Sequence, residues 1–422
     1  MTLLSKIRTT SVSIPWALAV ITIVLYLPFY FHIVSLSYEQ SRSIAFKDSP
    51  LYVLPVYEND SSGYVTLSEN IINHRLFSAS VSAPYYPNTF RTPIFPVALA
   101  IFKEMLGSYT FFPLLQILVV ILTSILIFKI GNKIYSEKAG LLAAVFFIVD
   151  PTTIYHAMII LSENLYVFFL LLAFYLMFFS DMEDGYRLNF LRGFALGFAT
   201  LIRPISMYLL FVFVPAYIFL RKDLTSKKKI VFSILFIIFG YTVVTLPWMI
   251  RNKMVADSWQ LSSAKDFNFF LAYVPEYLSF RDKIDINVAK KKMLSDLGRP
   301  LSGDGQSLSD ASDMRRVYLK YLYEDPIGYL SFHSFKTIPF FFASGIKSVY
   351  LFYDHVLGFD VFDLKSTNLS SLLLRGKIAE VVRDITSSPL IFGEQLFWIF
   401  VYLFSIIARL VVVISFTRWS SF

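Results

Sequence analysis

Long apolar runs constrain this chain more than any other feature of its sequence. A helix needs about 20 apolar residues to cross a bilayer, and several segments of the 422-residue chain approach or reach that length. Hydrophobic residues make up 56% of the chain and charged residues only 16%, so a soluble globule of this size could not bury its apolar surface. The sequence therefore predicts an all-α polytopic integral membrane protein.

The hydropathy pattern predicts where the chain crosses the membrane. Candidate spans cover residues 14–36, 110–130, 139–158, 164–180, 190–202 running on through 205–220, 229–249, 333–353 and 389–416. The segment 93–106 is too short for a crossing and is predicted to lie at the interface. The stretch 190–220 is either one kinked helix or two short crossings turning at Arg203-Pro204. We prefer the turn because it keeps the arginine out of hydrocarbon.

Charge in the connecting loops predicts the orientation. Lysine and arginine cluster in residues 129–138, 181–192 and 221–229, and such loops favour the cytoplasmic side. The first helix is then retained in the cell membrane with a cytoplasmic N-terminus. The extracytoplasmic side receives the loop 37–92, the turn 150–163, the Arg203-Pro204 turn and the segment that starts at Arg251.

The predicted organisation has three parts. Residues 1–250 form a transmembrane helix bundle with the catalytic module and interfacial helices in a long first extracytoplasmic loop, residues 37–92. Residues 251–332 form a small extracytoplasmic α-rich region, and residues 333–422 form C-terminal transmembrane helices. The net charge of +8 comes from lysines beside apolar segments, which indicates membrane anchoring rather than nucleic-acid binding. The chain has no cysteine, so no disulfide or thiol nucleophile is available.

Acidic residues recur at the segment ends predicted to lie outside the cell. Asp60 precedes a helix-like run in the first loop, where it is either a capping or turn residue or a general base that takes a proton from an acceptor hydroxyl. Glu58 is a further carboxylate, and Tyr64 lies in the same segment. Asp150 starts a turn before Pro151. Glu163 opens an apolar helix, where a plain helix-start role is also expected.

Three arginines are candidates for binding a phosphate. Arg91 lies at the headgroup level before an apolar segment, and Arg251 follows an interfacial tryptophan. Each is either an interface anchor or a phosphate ligand, because guanidinium binds phosphate oxygens in a fixed bidentate geometry. Arg203 has apolar residues on both flanks, and an ionisable group at that depth indicates function.

Several classes of site have no support in the sequence. There is no P-loop, no G-x-G-x-x-G fingerprint and no D-x-D pair, so a nucleotide substrate is unsupported. The five histidines have no metal-like spacing, and no metal ligand is predicted. Whether a divalent metal takes part is left open.

Five motifs in order carry a family resemblance. They are Asp-Ser-x-Gly-Tyr from Asp60 to Tyr64, Arg-Thr-Pro-x-x-Pro from Arg91 to Pro96, Ser-Glu-Asn-Leu-Tyr from Ser162 to Tyr166, Gly-x-x-x-Leu-x-Arg-Pro from Gly197 to Pro204, and Pro-Trp-x-x-Arg-Asn from Pro247 to Asn252. The chain resembles the GT-C glycosyltransferases, in particular the bacterial branch related to protein O-mannosyltransferases and the lipid A aminoarabinose transferase. It differs from the aminoarabinose transferases in having Phe90 and Arg91 where those have an acidic residue and a lysine.

The resemblance implies a polyprenyl-phosphate-linked sugar donor and a protein, lipid or glycan acceptor on the extracytoplasmic side. The aspartate of the first loop, here Asp60, would lie in the active site. Basic residues that bind the carrier phosphate would correspond to Arg91, Arg203 and Arg251. A one-step displacement would invert the anomeric centre. The alternatives are a transporter or flippase of lipid-linked glycans, which would predict inverted repeats, and a polymerase or ligase of such glycans.

Overall fold

The computed structural model describes residues 13–42, 59–180, 182, 185–220, 226–302, 305–342, 379 and 382. The chain divides into two compact units, Met1–Tyr323 and Glu324–Phe422. The described residues of both units are mainly helical, and the ladder pairing within them is a single isolated bridge between Ser78 and Pro87. The predicted all-α class is therefore confirmed.

The helices are numbered here in chain order. They are α1 (Ser13–Arg42), α2 (Asn59–His74), α3 (Ile94–Leu106), α4 (Phe112–Ile134), α5 (Glu137–Val149), α6 (Pro151–Met158), α7 (Glu163–Phe178), α8 (Tyr186–Ile202), α9 (Leu210–Leu220), α10 (Lys227–Ala256), α11 (Ala264–Asn268), α12 (Val274–Asp282), α13 (Ile286–Leu297), α14 (Ala311–Glu324) and α15 (Pro326–Phe342). The second unit contains α15. Single 3₁₀ turns precede α4, α9 and α14, and a π-helical turn, Phe269–Tyr273, precedes α12.

Three helices of the described part are long and apolar enough to cross a membrane. They are Ser13–Ser35 within α1, Tyr109–Ile134 including α4, and Lys227–Ala256, which is α10. These correspond to the predicted spans 14–36, 110–130 and 229–249. Helix α10 continues past the predicted end of its span and carries Arg251 in its last turns. The predicted span 389–416 and most of 333–353 lie outside the described residues.

The predicted span 139–158 is two helices rather than one. Helices α5 and α6 are bent by 53° at Asp150. Pro151 disfavours a helical conformation at the residue before it, and Asp150 is extended, with φ −64° and ψ 120°. Its Oδ2 accepts hydrogen bonds from the Thr153 backbone N–H at 2.8 Å and from the Thr153 hydroxyl at 3.1 Å. The aspartate therefore caps α6 and fixes the bend.

The chain also breaks at Arg203, as predicted. The residue is extended, with φ −138° and ψ 114°, because Pro204 restricts it in the same way. A 3₁₀ turn, Pro204–Leu209, then leads into α9. The break turns the Arg203 side chain away from α8 and toward the start of α7.

Close packing of α8 against α10 depends on glycines that face the partner backbone. A Cβ atom on Gly193 would lie 1.8 Å from the Ile237 carbonyl oxygen, and one on Gly240 would lie 2.1 Å from that of Phe190. Small residues let membrane helices approach at backbone distance. Helix α8 ends beside Arg203 and α10 carries Arg251. The contact between the helices therefore fixes the positions of these two candidate site residues relative to each other.

We expect Gly193→Ala to destabilise the fold strongly. The added methyl group cannot move away from backbone atoms, so the helices must separate, which costs about 1–3 kcal/mol or more. The measurement is the apparent thermal midpoint in detergent. Gly63→Ala is the matched control, since a Cβ atom on this helical glycine would meet no atom of the described chain within 4 Å and alanine favours helix. Equal midpoints for the two variants would contradict the proposed role of the contact.

Candidate active site

Helix α2 brings Asp60 and Tyr64 to one face. The two residues are four positions apart, and such residues lie above one another on a helix. Asp60 stands in the first turn of α2 and its side chain is 50% exposed, whereas Tyr64 is buried. The ring of Tyr64 packs edge-on against Phe95 of α3, with centroids 4.6 Å apart.

Arg91 forms a two-pronged ion pair with Asp60. Its Nη2 lies 2.7 Å from Asp60 Oδ1 and its Nη1 lies 3.3 Å from Oδ2. The guanidinium also lies over the Tyr64 ring, 4.8 Å from its centroid, and Nη1 donates to the Tyr64 hydroxyl at 3.4 Å. Burial acts to lower the pKa of Arg91, but Tyr64 and the hydrogen bond to Asp60 outweigh it and raise the pKa, so the arginine stays charged.

The backbone that carries Arg91 is fixed residue by residue. The Asn88 side-chain oxygen accepts from the backbone N–H groups of Phe90, at 3.1 Å, and Arg91, at 2.9 Å, as in an Asx turn. The Thr92 hydroxyl donates to the Ile202 carbonyl at 3.0 Å. This last bond ties the Arg91 loop to the end of α8, directly before Arg203.

The α-rich region after α10 holds the same loop from the other side. The Ser263 backbone N–H donates to the Thr89 carbonyl at 3.0 Å, and the Ser262 hydroxyl donates to the Phe90 carbonyl at 2.5 Å. The Leu308 backbone N–H donates to the Thr89 hydroxyl at 2.8 Å. The loop therefore presents Arg91 in one conformation.

A second ion pair joins Arg203 to Glu163 at the start of α7. Arg203 Nη2 lies 2.5 Å from Glu163 Oε1, and Arg203 Nε donates to the Ser162 hydroxyl at 3.2 Å. The other carboxylate oxygen, Oε2, is buried and has no hydrogen-bond partner among the described residues. The Arg203 guanidinium also lies 5.9 Å from the centroid of the Tyr166 ring. This acid therefore does more than favour the start of a helix.

Two hydroxyl groups connect the two ion pairs. The Tyr64 hydroxyl, which accepts from Arg91, lies 3.3 Å from the Ser162 hydroxyl, which accepts from Arg203. Five of the predicted site residues thus belong to one polar network with Ser162: Asp60, Tyr64, Arg91, Glu163 and Arg203. Sequence reasoning did not single out Ser162. Its position before a helix is typical of a cap, yet its side chain makes no capping hydrogen bond within the described part of the chain.

The remaining predicted residues lie apart from this network. Arg251 Nη1 donates to the Asn88 carbonyl at 2.7 Å, and its Nη2 donates to the Phe77 carbonyl at 3.3 Å. Its guanidinium lies 4.7 Å from the centroid of the Trp248 ring, so it supports the loop that leads to Arg91. Asp150 caps α6. Glu58 lies outside the described residues. A role for these residues in the reaction stays a prediction.

The network holds equal numbers of positively and negatively charged side chains. Two guanidinium groups are balanced by two carboxylates, so an arriving phosphate can replace a carboxylate without leaving an arginine unpaired. Over the described ranges, no group of three His, Cys, Asp or Glu side chains is placed to hold a metal ion.

Comparison with known proteins identifies part of the chain. No curated protein matches its sequence significantly. Residues 91–248 match the family model described as dolichyl-phosphate-mannose-protein mannosyltransferase. The matched segment begins at Arg91 and includes Ser162, Glu163 and Arg203, whereas Asp60 precedes it. The resemblance drawn from the motifs is confirmed over this segment: residues 91–248 match the dolichyl-phosphate-mannose-protein mannosyltransferase family model, and that family belongs to the GT-C superfamily.

Proposed function

We propose that this protein is a membrane glycosyltransferase that moves a sugar from a polyprenyl-phosphate carrier to an acceptor on the extracytoplasmic face. The observation that carries the proposal is one network that joins Asp60 to Arg91, Glu163 and Arg203. The last three lie within the segment that matches the mannosyltransferase family model. The acceptor is a protein, a lipid or a glycan.

The charges of the network suit a phosphate leaving group. As the bond between the sugar and the phosphate breaks, negative charge develops on the phosphate oxygens, and guanidinium groups already in place stabilise that charge. Arg91 and Arg203 are partly buried, which strengthens such an interaction over that in water. Arg203 is 36% exposed and Arg91 is 21% exposed, so both remain accessible to an anion.

The same geometry supports a role for Asp60 as the general base. Both of its oxygens accept hydrogen bonds from Arg91, so the carboxylate becomes free to take a proton when the donor phosphate replaces it on Arg91. The acceptor oxygen then attacks the anomeric carbon while its proton passes to Asp60. The bond from that carbon to the phosphate oxygen breaks, its electron pair stays with the phosphate, and free polyprenyl phosphate leaves. A single displacement of this kind inverts the anomeric centre.

The length of α10 supports the proposed side of the membrane. Its N-terminal turn carries Lys227, Lys228 and Lys229, and Arg251 lies near its other end. Lys227 and Arg251 are separated by about 36 Å of helix, which exceeds the hydrocarbon core of a bilayer. If the lysines are cytoplasmic, the loop that Arg251 supports lies on the extracytoplasmic side.

The test is release of free polyprenyl phosphate by the purified full-length chain in lipid. We expect release from at least one member of a panel of short-chain polyprenyl-phosphate sugars, and none from the corresponding pyrophosphate-linked oligosaccharides. Absence of release from the whole panel would reject the proposal. Movement of a labelled lipid-linked glycan across liposomes, without release, would favour the transporter alternative.

A further inference from the structure

Ser162 touches both halves of the network. It is fully buried, and its hydroxyl contacts Arg203 Nε at 3.2 Å and the Tyr64 hydroxyl at 3.3 Å. Guanidinium N–H groups only donate, so the Ser162 oxygen accepts from Arg203 and the Tyr64 oxygen accepts from Arg91. One of the two hydroxyl hydrogens then lies between the two oxygens.

A bound phosphate would displace the carboxylates from the arginines but not the hydroxyl groups. A phosphate competes with Asp60 and Glu163 for the arginines, because all three are anions that bind guanidinium edges. Neutral hydroxyls do not compete in this way. When the carboxylates are replaced, the bonds through Ser162 and Tyr64 remain to hold Arg91 and Arg203 in their relative positions.

The edge that Ser162 uses also matters. The Ser162 hydroxyl accepts a hydrogen bond from Nε of Arg203, whereas the Glu163 carboxylate accepts one from Nη2. A phosphate that replaces Glu163 at the pair of nitrogens Nη1 and Nη2 therefore leaves the serine contact on Nε undisturbed. Three hydrogen bonds in series, from Arg91 through Tyr64 and Ser162 to Arg203, connect the two guanidinium groups.

We propose that Ser162, acting through Arg203 and Tyr64, is a positioning residue that sets the spacing of the two arginines for a single phosphate of a prenyl-phosphate ligand. The inference rests on the proposed function and adds to it a residue that touches no substrate. Ser162 holds the cations, Arg91 and Arg203 bind the phosphate, and Asp60 takes the proton.

The test measures binding of farnesyl phosphate to the full-length chain in detergent, with farnesol as the ligand that lacks the phosphate. We expect Ser162→Ala to weaken farnesyl phosphate binding about 10-fold, the scale of one hydrogen bond to a charged group. Farnesol binding is unchanged. In turnover with an active donor, KM for the donor rises by a similar factor and kcat changes less than about 2-fold.

Ser68 provides the matched control. It is also fully buried, and its hydroxyl lies 2.8 Å from the hydroxyl of Tyr109, a serine–tyrosine pair away from the two arginines. Ser68→Ala should leave farnesyl phosphate binding within about 2-fold of the original. Ser162→Thr, which keeps the hydroxyl, should recover most of the lost affinity. In an Arg203→Ala background, Ser162→Ala should cost no further affinity, because the residue acts through that arginine.

Three outcomes would overturn the inference. They are unchanged binding in Ser162→Ala, an equal loss in Ser68→Ala, and a full additional loss in the Arg203→Ala background. Each is distinct from failure of the proposed function, in which the unsubstituted chain binds farnesyl phosphate no better than farnesol and releases no polyprenyl phosphate. That result would remove this inference as well.

Discussion

Replacing Asp60 with Asn is expected to lower sugar transfer by about 10²–10⁴-fold, the range for loss of a general base. Asparagine keeps the shape of the side chain and still accepts a hydrogen bond from Arg91, but it cannot take a proton at the pH of the assay. The measurement is the rate of polyprenyl phosphate release with donor and acceptor at saturation. Folding should be retained, because the Asp60 side chain is half exposed.

The same substitution should not weaken donor binding. Asp60 holds both prongs of the Arg91 guanidinium, so its neutralisation leaves Arg91 freer to bind a phosphate. Farnesyl phosphate should therefore bind Asp60→Asn at least as tightly as the original chain. A loss of both binding and transfer would mean that Asp60 serves only to hold Arg91 in place.

Glu69 offers a control on the same helix. Its carboxylate forms an ion pair with Lys103 of α3 and is less exposed than that of Asp60. Glu69→Gln removes a charge from α2 without touching Arg91 or Arg203. Transfer should stay within about 3-fold of the original rate. A loss comparable to that of Asp60→Asn would point to a general effect of charge on α2 and not to a proton acceptor.

The sequence was sufficient to predict the break at Arg203, and it marked Asp150-Pro151 as a turn although the predicted span 139–158 ran across it. Both depend on a proline at the next position, whose ring restricts the residue before it wherever the chain lies. The spans of α1, α4 and α10 were also predictable, because their length and apolar content alone decide whether a helix can cross a bilayer. These features are local, and local patterns determine them.

The pairing of Asp60 with Arg91 depends on contacts between distant parts of the chain. The Arg91 loop is held by Thr92 on Ile202 and by residues of the later α-rich region, and no local pattern reveals such bonds. Arg91 and Arg251 are also equivalent candidates in the sequence, since each is predicted to be either an interface anchor or a phosphate ligand. In the structure Arg91 donates to a carboxylate, whereas Arg251 donates to backbone carbonyls. Only the path of the loop determines this difference.

Replacing Arg203 with Ala is expected to weaken farnesyl phosphate binding about 100-fold, the upper scale for a hydrogen-bonded charge, and to destabilise the protein. The substitution leaves Glu163 with a carboxylate oxygen that has lost its cation, beside Oε2, which is buried and already lacks a partner within the described ranges. Breaking a fully buried ion pair costs about 3–5 kcal/mol. This pair is partly exposed, so the expected cost is about 1–3 kcal/mol. The apparent thermal midpoint in detergent measures this effect.

Removing the acid as well separates stability from binding. The double variant Arg203→Ala/Glu163→Ala removes both charges of this ion pair. Its thermal midpoint should therefore regain much of what Arg203→Ala alone loses. Binding should stay weak, because the phosphate still lacks one of its two arginines. If the double variant regained affinity together with stability, Arg203 would be a structural residue and the phosphate site would lie elsewhere.

The ion pair of Lys103 with Glu69 supplies the converse control. The side chains of this pair are partly buried, as are those of Arg203 and Glu163. The pair joins α2 to α3, whereas the Arg203 pair joins α7 to the Arg203 turn. Lys103→Ala should lower the thermal midpoint while farnesyl phosphate binding is unchanged. Loss of binding in this variant would show that any destabilisation of the first unit releases the ligand. Only binding loss specific to Arg203 assigns the phosphate to this end of the bundle.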